Sequence, residues 1–327
     1  MLRTQIIGTG SYVPEKVITN QDLEKLVDTN DEWIVERTGI RERRMAAPEQ
    51  ASSDLAVNAA RQALEMAKVR PEDLDLIIIG TISPDQPLPS CAAFVQAKLG
   101  AKRAFAFDVS AACAGSLYAM SIADQFIKTG TVKRALIVGV ELLTRIVDWQ
   151  DRNTCVLFGD AAGAMVLGPS SDPERGILST HLHTDGEAAD ILCIKGGGSK
   201  MPASEDVLRQ KLNKVSMNGK EVYKFAVRAL EEASRKALAA NALTASQVSH
   251  VIAHQANVRI IDAVLGRLEI PLEKCWLNIQ KYGNTSSASL PMTLDEANRA
   301  GRLNPGDVIA MMAIGAGMAW GSAMVRW

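Results

Sequence analysis

An α/β protein made of two similar halves, with helices buried between two sheets, is what this 327-residue sequence predicts. Short runs that are apolar at every position alternate with longer stretches of helical spacing, and the order of elements in the first half recurs in the second. Apolar runs too short for helices read as strands covered on both faces. The composition agrees: 47% hydrophobic residues but only 5% aromatic suits close packing of small side chains on sheets. The length exceeds the usual size of a single core, so two subdomains are expected, residues 1–170 and 171–327.

In the first half the predicted strands are Leu74–Gly80, Ala104–Val109, Ala135–Val140 and Ala164–Leu167. A helix from Ser53 to Met66 opens on Ser53-Asp54 as its cap. The stretch Ala114–Ile127 is apolar nearly all round, which predicts a helix in the middle of the molecule. After a junction near residues 168–176 the plan repeats. It comprises a helix at Glu221–Ala239, a strand at Val248–Ala253, a helix at Val258–Leu268, a strand near Trp276 and a helix at Ser289–Ala300. Asp307–Ala313, a tight Gly315-Ala316-Gly317 turn and Gly321–Arg326 close the chain as two strands. The halves match weakly residue by residue, but their order is the same, giving layers α-β-α-β-α around a central helix pair. Residues Thr184–Met217 are polar and glycine-rich and read as a surface excursion or lid.

A formal charge of −1 and a pI near 6.5 give no global field for nucleic acid or an anionic membrane, so an anionic partner needs a local basic patch. The five cysteines, at 91, 113, 155, 193 and 275, have irregular spacing and no C-x-x-C pair, which favours a reduced, cytoplasmic setting over a disulfide framework. No removed leader or membrane span is expected, because no apolar run approaches the roughly 18 residues a span requires.

Three segments carry chemistry. Cys113 lies in Asp108-Val-Ser-Ala-Ala-Cys-Ala-Gly115, between a strand and a helix. An isolated cysteine is most often inert core. At a helix N-terminus, however, unpaired N–H groups and the helix dipole favour the thiolate and predict a pKa lowered from about 8.5 toward neutrality. His254 lies in His-Gln-Ala-Asn257 at a strand end, where a ring nitrogen can donate to a carbonyl oxygen. Asn284, in Gly283-Asn-Thr-Ser-Ser-Ala-Ser289, could simply cap a helix, but the following hydroxyls cap equally well and leave its amide free. A thiol, an imidazole and an amide suit acyl transfer through a thioester.

Other motifs fail. Gly8-Thr-Gly10 lacks the rest of a dinucleotide fingerprint, His181-Leu-His183 lacks further metal ligands, and Gly196–Ser199 lacks the Lys-Ser/Thr of a phosphate loop. The charge run Glu36–Arg44 reads either as a solvated face or, with Trp33, as an indole and guanidinium groups for stacking and phosphates.

Together, Gly8-Thr-Gly-Ser-Tyr-Val-Pro14, Asn30–Arg41, the Cys113 segment, Phe158-Gly-Asp160, His254–Asn257, Gly283-Asn-Thr285 and Trp320–Arg326 closely resemble the β-ketoacyl-acyl-carrier-protein synthase III family of the thiolase superfamily. The likeness spans essentially the whole chain. It implies a thiolase-like fold, a homodimer, and a decarboxylating condensation of an acyl-CoA primer with malonyl-acyl-carrier protein, with no cofactor or metal. It further implies Cys113 as acylated nucleophile, His254 and Asn284 as the decarboxylation pair, and the N–H groups of Cys113 and Ala316 as oxyanion hole. Thr29, Trp33, Arg37, Arg152 and Asn257 would meet coenzyme A. Leu88 from the partner subunit, with Leu143, Phe158 and Met217, would line the primer pocket. Lys224, Arg259 and Arg267 would meet the acidic carrier protein. The sequence departs from the family at Ala316, where a glycine is common, and at Leu88, where some members carry an aromatic residue. The rival readings are a related synthase making polyketide or quinolone starters, a Cys-His-Asn hydrolase, and a silent partner that only binds carrier protein.

Overall fold

The computed structural model describes residues 2–327. One sheet has five strands in the order Thr4–Tyr12, Ala161–Pro169, Ala135–Glu141, Leu76–Gly80, Phe105–Val109. Its first two pairings are antiparallel and its last two parallel. A second sheet follows the same order and directions: Gly176–Thr184, Ala319–Arg326, Val308–Gly315, His250–Ala253. Its fifth place holds only a parallel bridge between Val251 and Cys275.

The strand expected near Trp276 is therefore corrected to that single bridge. The Gln255 side chain takes the hydrogen-bonding groups that a longer strand would offer its neighbour. Its amide donates to the Trp276 carbonyl (3.2 Å), and its oxygen accepts from the N–H groups of Asn278 (3.2 Å) and Ile279 (3.3 Å). Phe105–Val109 also differs from expectation. It lies at the edge of its sheet, so its apolar run is not covered on both faces and Phe105 remains 45% exposed.

Alternation along the inner strands builds the layers. Ile77 and Ile79 pack outward beneath the helices Ser52–Ala67 and Cys91–Leu99, whereas Leu76 and Ile78 face inward. The inner side meets Leu117 and Met120 of helix Gly115–Lys128, Leu290 and Leu294 of helix Ser289–Arg299, and Ile309 and Met311 of the second sheet. Helices Gly219–Ala240 and Val258–Leu268 cover the far side. This is the predicted thiolase-like succession of α, β, α, β and α layers.

Helix Ser52–Ala67 starts one residue earlier than predicted. The Asp54 carboxylate closes its first turn by accepting from the Ala51 N–H (2.8 Å), while Ser53 donates to Asp85 (2.5 Å) instead of capping. The excursion 184–217 folds into paired strands Leu192–Ile194 and Val215–Met217 flanking a short helix, Glu205–Arg209. Val215 is buried against Leu143, Val147 and Phe158, so the excursion supplies an apolar wall as well as a polar surface. No helix among the described residues is long and apolar enough to cross a membrane.

Each central helix is entered through a 3-10 turn: Ala112–Ala114 before Gly115, and Ser286–Ala288 before Ser289. Both turns begin on a non-glycine residue with positive φ, 45° at Ala112 and 49° at Ser286. Such backbone persists only where the surroundings hold it. Gly139 allows one of those surroundings: a Cβ there would lie 2.1 Å from the Ser287 carbonyl oxygen. Gly139→Ala should therefore push the second turn off the sheet and cost about 1–3 kcal/mol, the usual range for overpacking, as measured by urea denaturation.

Candidate active site

Cys113 sits in the first 3-10 turn, at the head of the buried helix, with 7% of its surface exposed. The lowered pKa expected from the helix terminus is not what the structure gives. Burial pushes the thiol up to about 12, a hydrogen bond from the Ser286 side chain opposes that rise, and the nearby Glu141 charge adds to it. Desolvation of a thiolate outweighs the partial charge of the helix end.

His254 follows strand His250–Ala253, and its own N–H donates to the Met312 carbonyl (2.8 Å). Burial lowers the imidazole to about 3, so the ring is neutral at ordinary pH. Its Nδ1 lies 2.6 Å from Ser289 Oγ, which also accepts from the Gln255 N–H (3.4 Å). A serine proton donated to Nδ1 puts the ring proton on Nε2. Nε2 is buried without a hydrogen-bond partner, a donor available to whatever occupies the cleft.

Asn284 is fixed at three points. Its N–H donates to Leu157 (2.8 Å), its carbonyl accepts from Gly159 (3.0 Å), and its side-chain Oδ1 accepts from the Ser286 N–H (2.8 Å). The last contact leaves the amide NH2 as the free end, beside His254 in the same cleft. Two neutral donors therefore face one space.

That space is a cleft of about 1080 Å³ with Cys113, His254 and Asn284 on its lining and Trp33, Arg37, Lys224 and Arg259 also along its walls. A smaller apolar chamber of about 230 Å³ shares Cys113 and Phe158 with it. Leu143 lines this chamber too. Met217 lies in the wall of the larger cleft instead, and Leu88 lines neither cavity, standing 82% exposed on the surface. Ala316 borders the chamber beside Cys113. The positive φ of its turn falls on Gly317 (133°), not on Ala316, so alanine is accommodated. Gly315 packs tightly there, since a Cβ would lie 2.4 Å from the Cys113 nitrogen.

The residues assigned to coenzyme A divide. Trp33, Arg37 and Asn257 line the cleft, whereas Thr29 and Arg152 do not. The guanidinium groups of Arg37 and Arg152 each stand 5.0 Å from the Trp33 ring centre. Both polar ends of the Asn257 side chain are engaged: Oδ1 caps helix Val258–Leu268 and Nδ2 donates to the Arg37 carbonyl (2.9 Å). Of the three cations the resemblance assigns to the carrier protein, Lys224 and Arg259 border the cleft, but Arg267 lies outside it, paired with Glu231 (3.0 Å). Lys224 is itself paired with Glu221 (3.0 Å).

Sequence reasoning missed several participants. Lys220 also borders the cleft; its charge beside a predicted helix start was the available signal. Arg43, in a run read as solvated or phosphate-binding, is wholly buried and donates to Ile18 O (3.2 Å), Asn20 Oδ1 (2.9 Å) and Val156 O (2.8 Å). Ser289 and Glu141 gave no pattern in the sequence that would single them out.

Two adjoining cavities in a thiolase-like fold, with a thiol on the wall of both and an imidazole and an amide on the wall of the larger, define the class as the thiolase-like synthases. The family model for 3-oxoacyl-[acyl-carrier-protein] synthase III matches residues 107–186, and the model for its C-terminal part matches 238–327. A β-ketoacyl-[acyl-carrier-protein] synthase III of Symbiobacterium thermophilum is 53% identical over 98% of this chain and 97% of its own length. The solved 3-oxoacyl-[acyl-carrier-protein] synthase III of Aquifex aeolicus superposes with a TM-score of 0.92 at 48% identity, covering 99% of this chain and all of that one. A priming β-ketosynthase from a polyketide biosynthetic pathway has the same TM-score at 34% identity, covering 99% of this chain and 96% of its own. The chain belongs to the β-ketoacyl-[acyl-carrier-protein] synthase III family.

Ser289→Ala would remove the group that keeps the proton on His254 Nε2. Condensation should fall by roughly 10²-fold or more, as when an oxyanion donor is lost. A steady-state rate of condensation, with urea denaturation as the control for folding, checks this. His254 also has a stability consequence. Its folded pKa lies below the unfolded value near 6.5, so the unfolded chain binds the extra proton between the two. Its contribution is present above 6.5 and is lost as pH falls toward 3. The stability of the wild type relative to His254→Gln should therefore decrease from pH 7 to pH 5 in urea titrations.

Proposed function

We propose that this protein condenses an acyl-CoA primer with malonyl-acyl-carrier protein by a ping-pong route, initiating fatty-acid synthesis. The observation that carries the reading is the meeting of Cys113 with His254 and Asn284 on one cleft, with an apolar chamber opening beside the thiol. Cys113 attacks the primer thioester; its sulfur–acyl bond forms, the bond to the coenzyme A sulfur breaks, and the thiol proton passes to the departing coenzyme A. The N–H groups of Cys113 and Ala316 receive the oxyanion.

Malonyl-carrier protein then occupies the same cleft. His254 Nε2–H and the Asn284 amide donate to the malonyl thioester oxygen, so loss of carbon dioxide leaves an enolate held by neutral donors. Its carbon attacks the acyl-Cys113 carbonyl, the sulfur–acyl bond breaks, and the released cysteine sulfur takes a proton from water. A positively charged histidine is not required.

The indole of Trp33 with Arg37 and Arg152 forms the adenine and phosphate end of this proposal, and Lys224 with Arg259 the carrier-protein end. We assign the nucleophile to the half 1–170 and the His–Asn pair to the half 171–327. Leu88 would complete the primer chamber of a partner subunit in a homodimer. Relatives near 50% identity along the full chain favour fatty-acid priming over starter synthesis for a polyketide, where the likeness is 34%.

Incubation with a panel of acyl-CoAs followed by intact mass measurement tests the proposal. A single acyl adduct on the wild type, absent from Cys113→Ala, is expected, with 3-ketoacyl-carrier protein formed when malonyl-carrier protein is added. Hydrolysis to free acid without a new carbon–carbon bond would overturn it.

A further inference from the structure

Arg43 is a buried charge that the proposed reaction leaves unused. It stands on strand Glu42–Met45, opposite Ile18 of strand Lys16–Thr19, with none of its surface exposed. A guanidinium taken out of water ordinarily pairs with a carboxylate. Among the described residues no carboxylate accepts from Arg43; its acceptors are the Ile18 carbonyl (3.2 Å), Asn20 Oδ1 (2.9 Å) and the Val156 carbonyl (2.8 Å). Burial lowers its pKa only to about 10, so the side chain remains a cation at neutral pH.

Two of those acceptors lead to the Trp33 cluster. Asn20 spends its amide on two further bonds, donating from Nδ2 to Asp31 Oδ1 (2.8 Å) and to the Ile40 carbonyl (2.8 Å). Asp31 is the first residue of helix Asp31–Thr38, which carries Trp33 and Arg37, and Ile40 lies just past its end. One amide therefore grips both ends of that helix, and Arg43 holds the amide oxygen. Val156 is the C-cap of the short helix Arg152–Cys155, on which Arg152 stands. Arg43 is thus bonded toward both elements whose side chains meet at the indole, where the guanidinium groups of Arg37 and Arg152 each lie 5.0 Å from the ring centre. A second tie, from Arg152 to the Asp28 carbonyl (2.8 Å), is made on the exposed side.

The fork of this side chain matters as well as its charge. Nη1 serves Ile18 and Asn20 while Nη2 serves Val156, so two separate nitrogens point to two separate elements. A lysine has one nitrogen on a flexible stem and lacks this fixed geometry. We propose that Arg43 is a positioning residue that holds the helix of Trp33 and Arg37 against the helix of Arg152, and so keeps the indole and the two guanidinium groups arranged for the coenzyme A end of the substrate.

The inference rests on the reading of this cluster as the coenzyme A end of the cleft, and two readouts keep the two apart. Acrylamide quenching of Trp33 fluorescence, taken as the difference between each protein and its Trp33→Phe counterpart, reports the cluster without any ligand. Calorimetric titration with coenzyme A reports affinity, and far-UV circular dichroism establishes that each variant is folded. Arg43→Lys keeps the charge and loses the fork. Its Trp33 quenching should rise, and its affinity for coenzyme A should fall about tenfold, the usual size of one hydrogen bond to a charged group. In a Trp33→Ala background the same substitution should change the affinity by less than about twofold, a coupling that a general loss of stability would not produce. If Arg43→Lys does not fold, Asn20→Asp decides. Its carboxylate still accepts from Arg43 but has no proton for Asp31 or the Ile40 carbonyl, and the same rise in quenching is expected. Unchanged Trp33 quenching in the folded variant, or a loss of affinity of the same size with and without Trp33, would overturn the proposal. A rise in quenching with coenzyme A affinity unchanged would uphold the positioning and count instead against the reading of the cluster as the coenzyme A end.

Discussion

The backbone contact of two 3-10 turns with the first sheet is the constraint on which the site depends. Gly80 lies against Gly115, where an added Cβ would come within 2.6 Å of the Gly115 backbone, and Gly139 lies against Ser287. Those glycines let the heads of both central helices reach the same few strands. Cys113 therefore arrives at the head of one central helix and Asn284 just before the other, without a long loop to carry either. The parallel bridge from Phe158 to Asn284 ties the approach to the second turn to the segment just before strand Ala161–Pro169. A site placed on element ends of this kind is held by the core packing itself.

The same burial decides the charges. Cys113, His254 and Glu141 all carry pKa values displaced toward their neutral forms, upward for the thiol and acid and downward for the imidazole. A buried charge near any of them would be costly without a partner. Neutral donors suit the proposed chemistry, because negative charge then develops only on the reacting oxygen and meets N–H groups already aimed at it. The two serines next to these groups do the aiming: Ser289 sets the histidine proton, and Ser286 holds the amide oxygen of Asn284.

How much of this was legible in the sequence depends on the kind of signal. Fully covered strands such as Leu76–Gly80 announce themselves as apolar runs, and helix Val258–Leu268 has the predicted bounds. Cys113 and His254 stand where a strand gives way to a helix, as the pattern marks, whereas Asn284 lies between a short helix, Ile279–Tyr282, and a 3-10 turn. The edge strand Phe105–Val109 was misread because apolar residues do not reveal whether both faces are covered. The segment at Trp276 was misread because a distant glutamine takes its hydrogen-bonding groups. Arg43 looked solvated because its three acceptors come from positions 18, 20 and 156. Ser289 and Glu141 share this difficulty: their partners are set by tertiary contact and leave no local spacing.

His254 and Glu141 also oppose one another in their effect on stability. The imidazole is depressed from 6.5 to about 3, so between those values the unfolded chain binds more protons and stability rises with pH. The carboxyl is raised from 4.5 to about 7, so between those values the folded chain binds more protons and stability falls as pH rises. The windows overlap from 4.5 to 6.5, where the two slopes have opposite sign and largely cancel. A wild-type stability curve that is flat across mildly acidic pH would thus conceal two strongly displaced groups. Removing either one uncovers the slope of the other, since both slopes arise from the same dry space around Cys113.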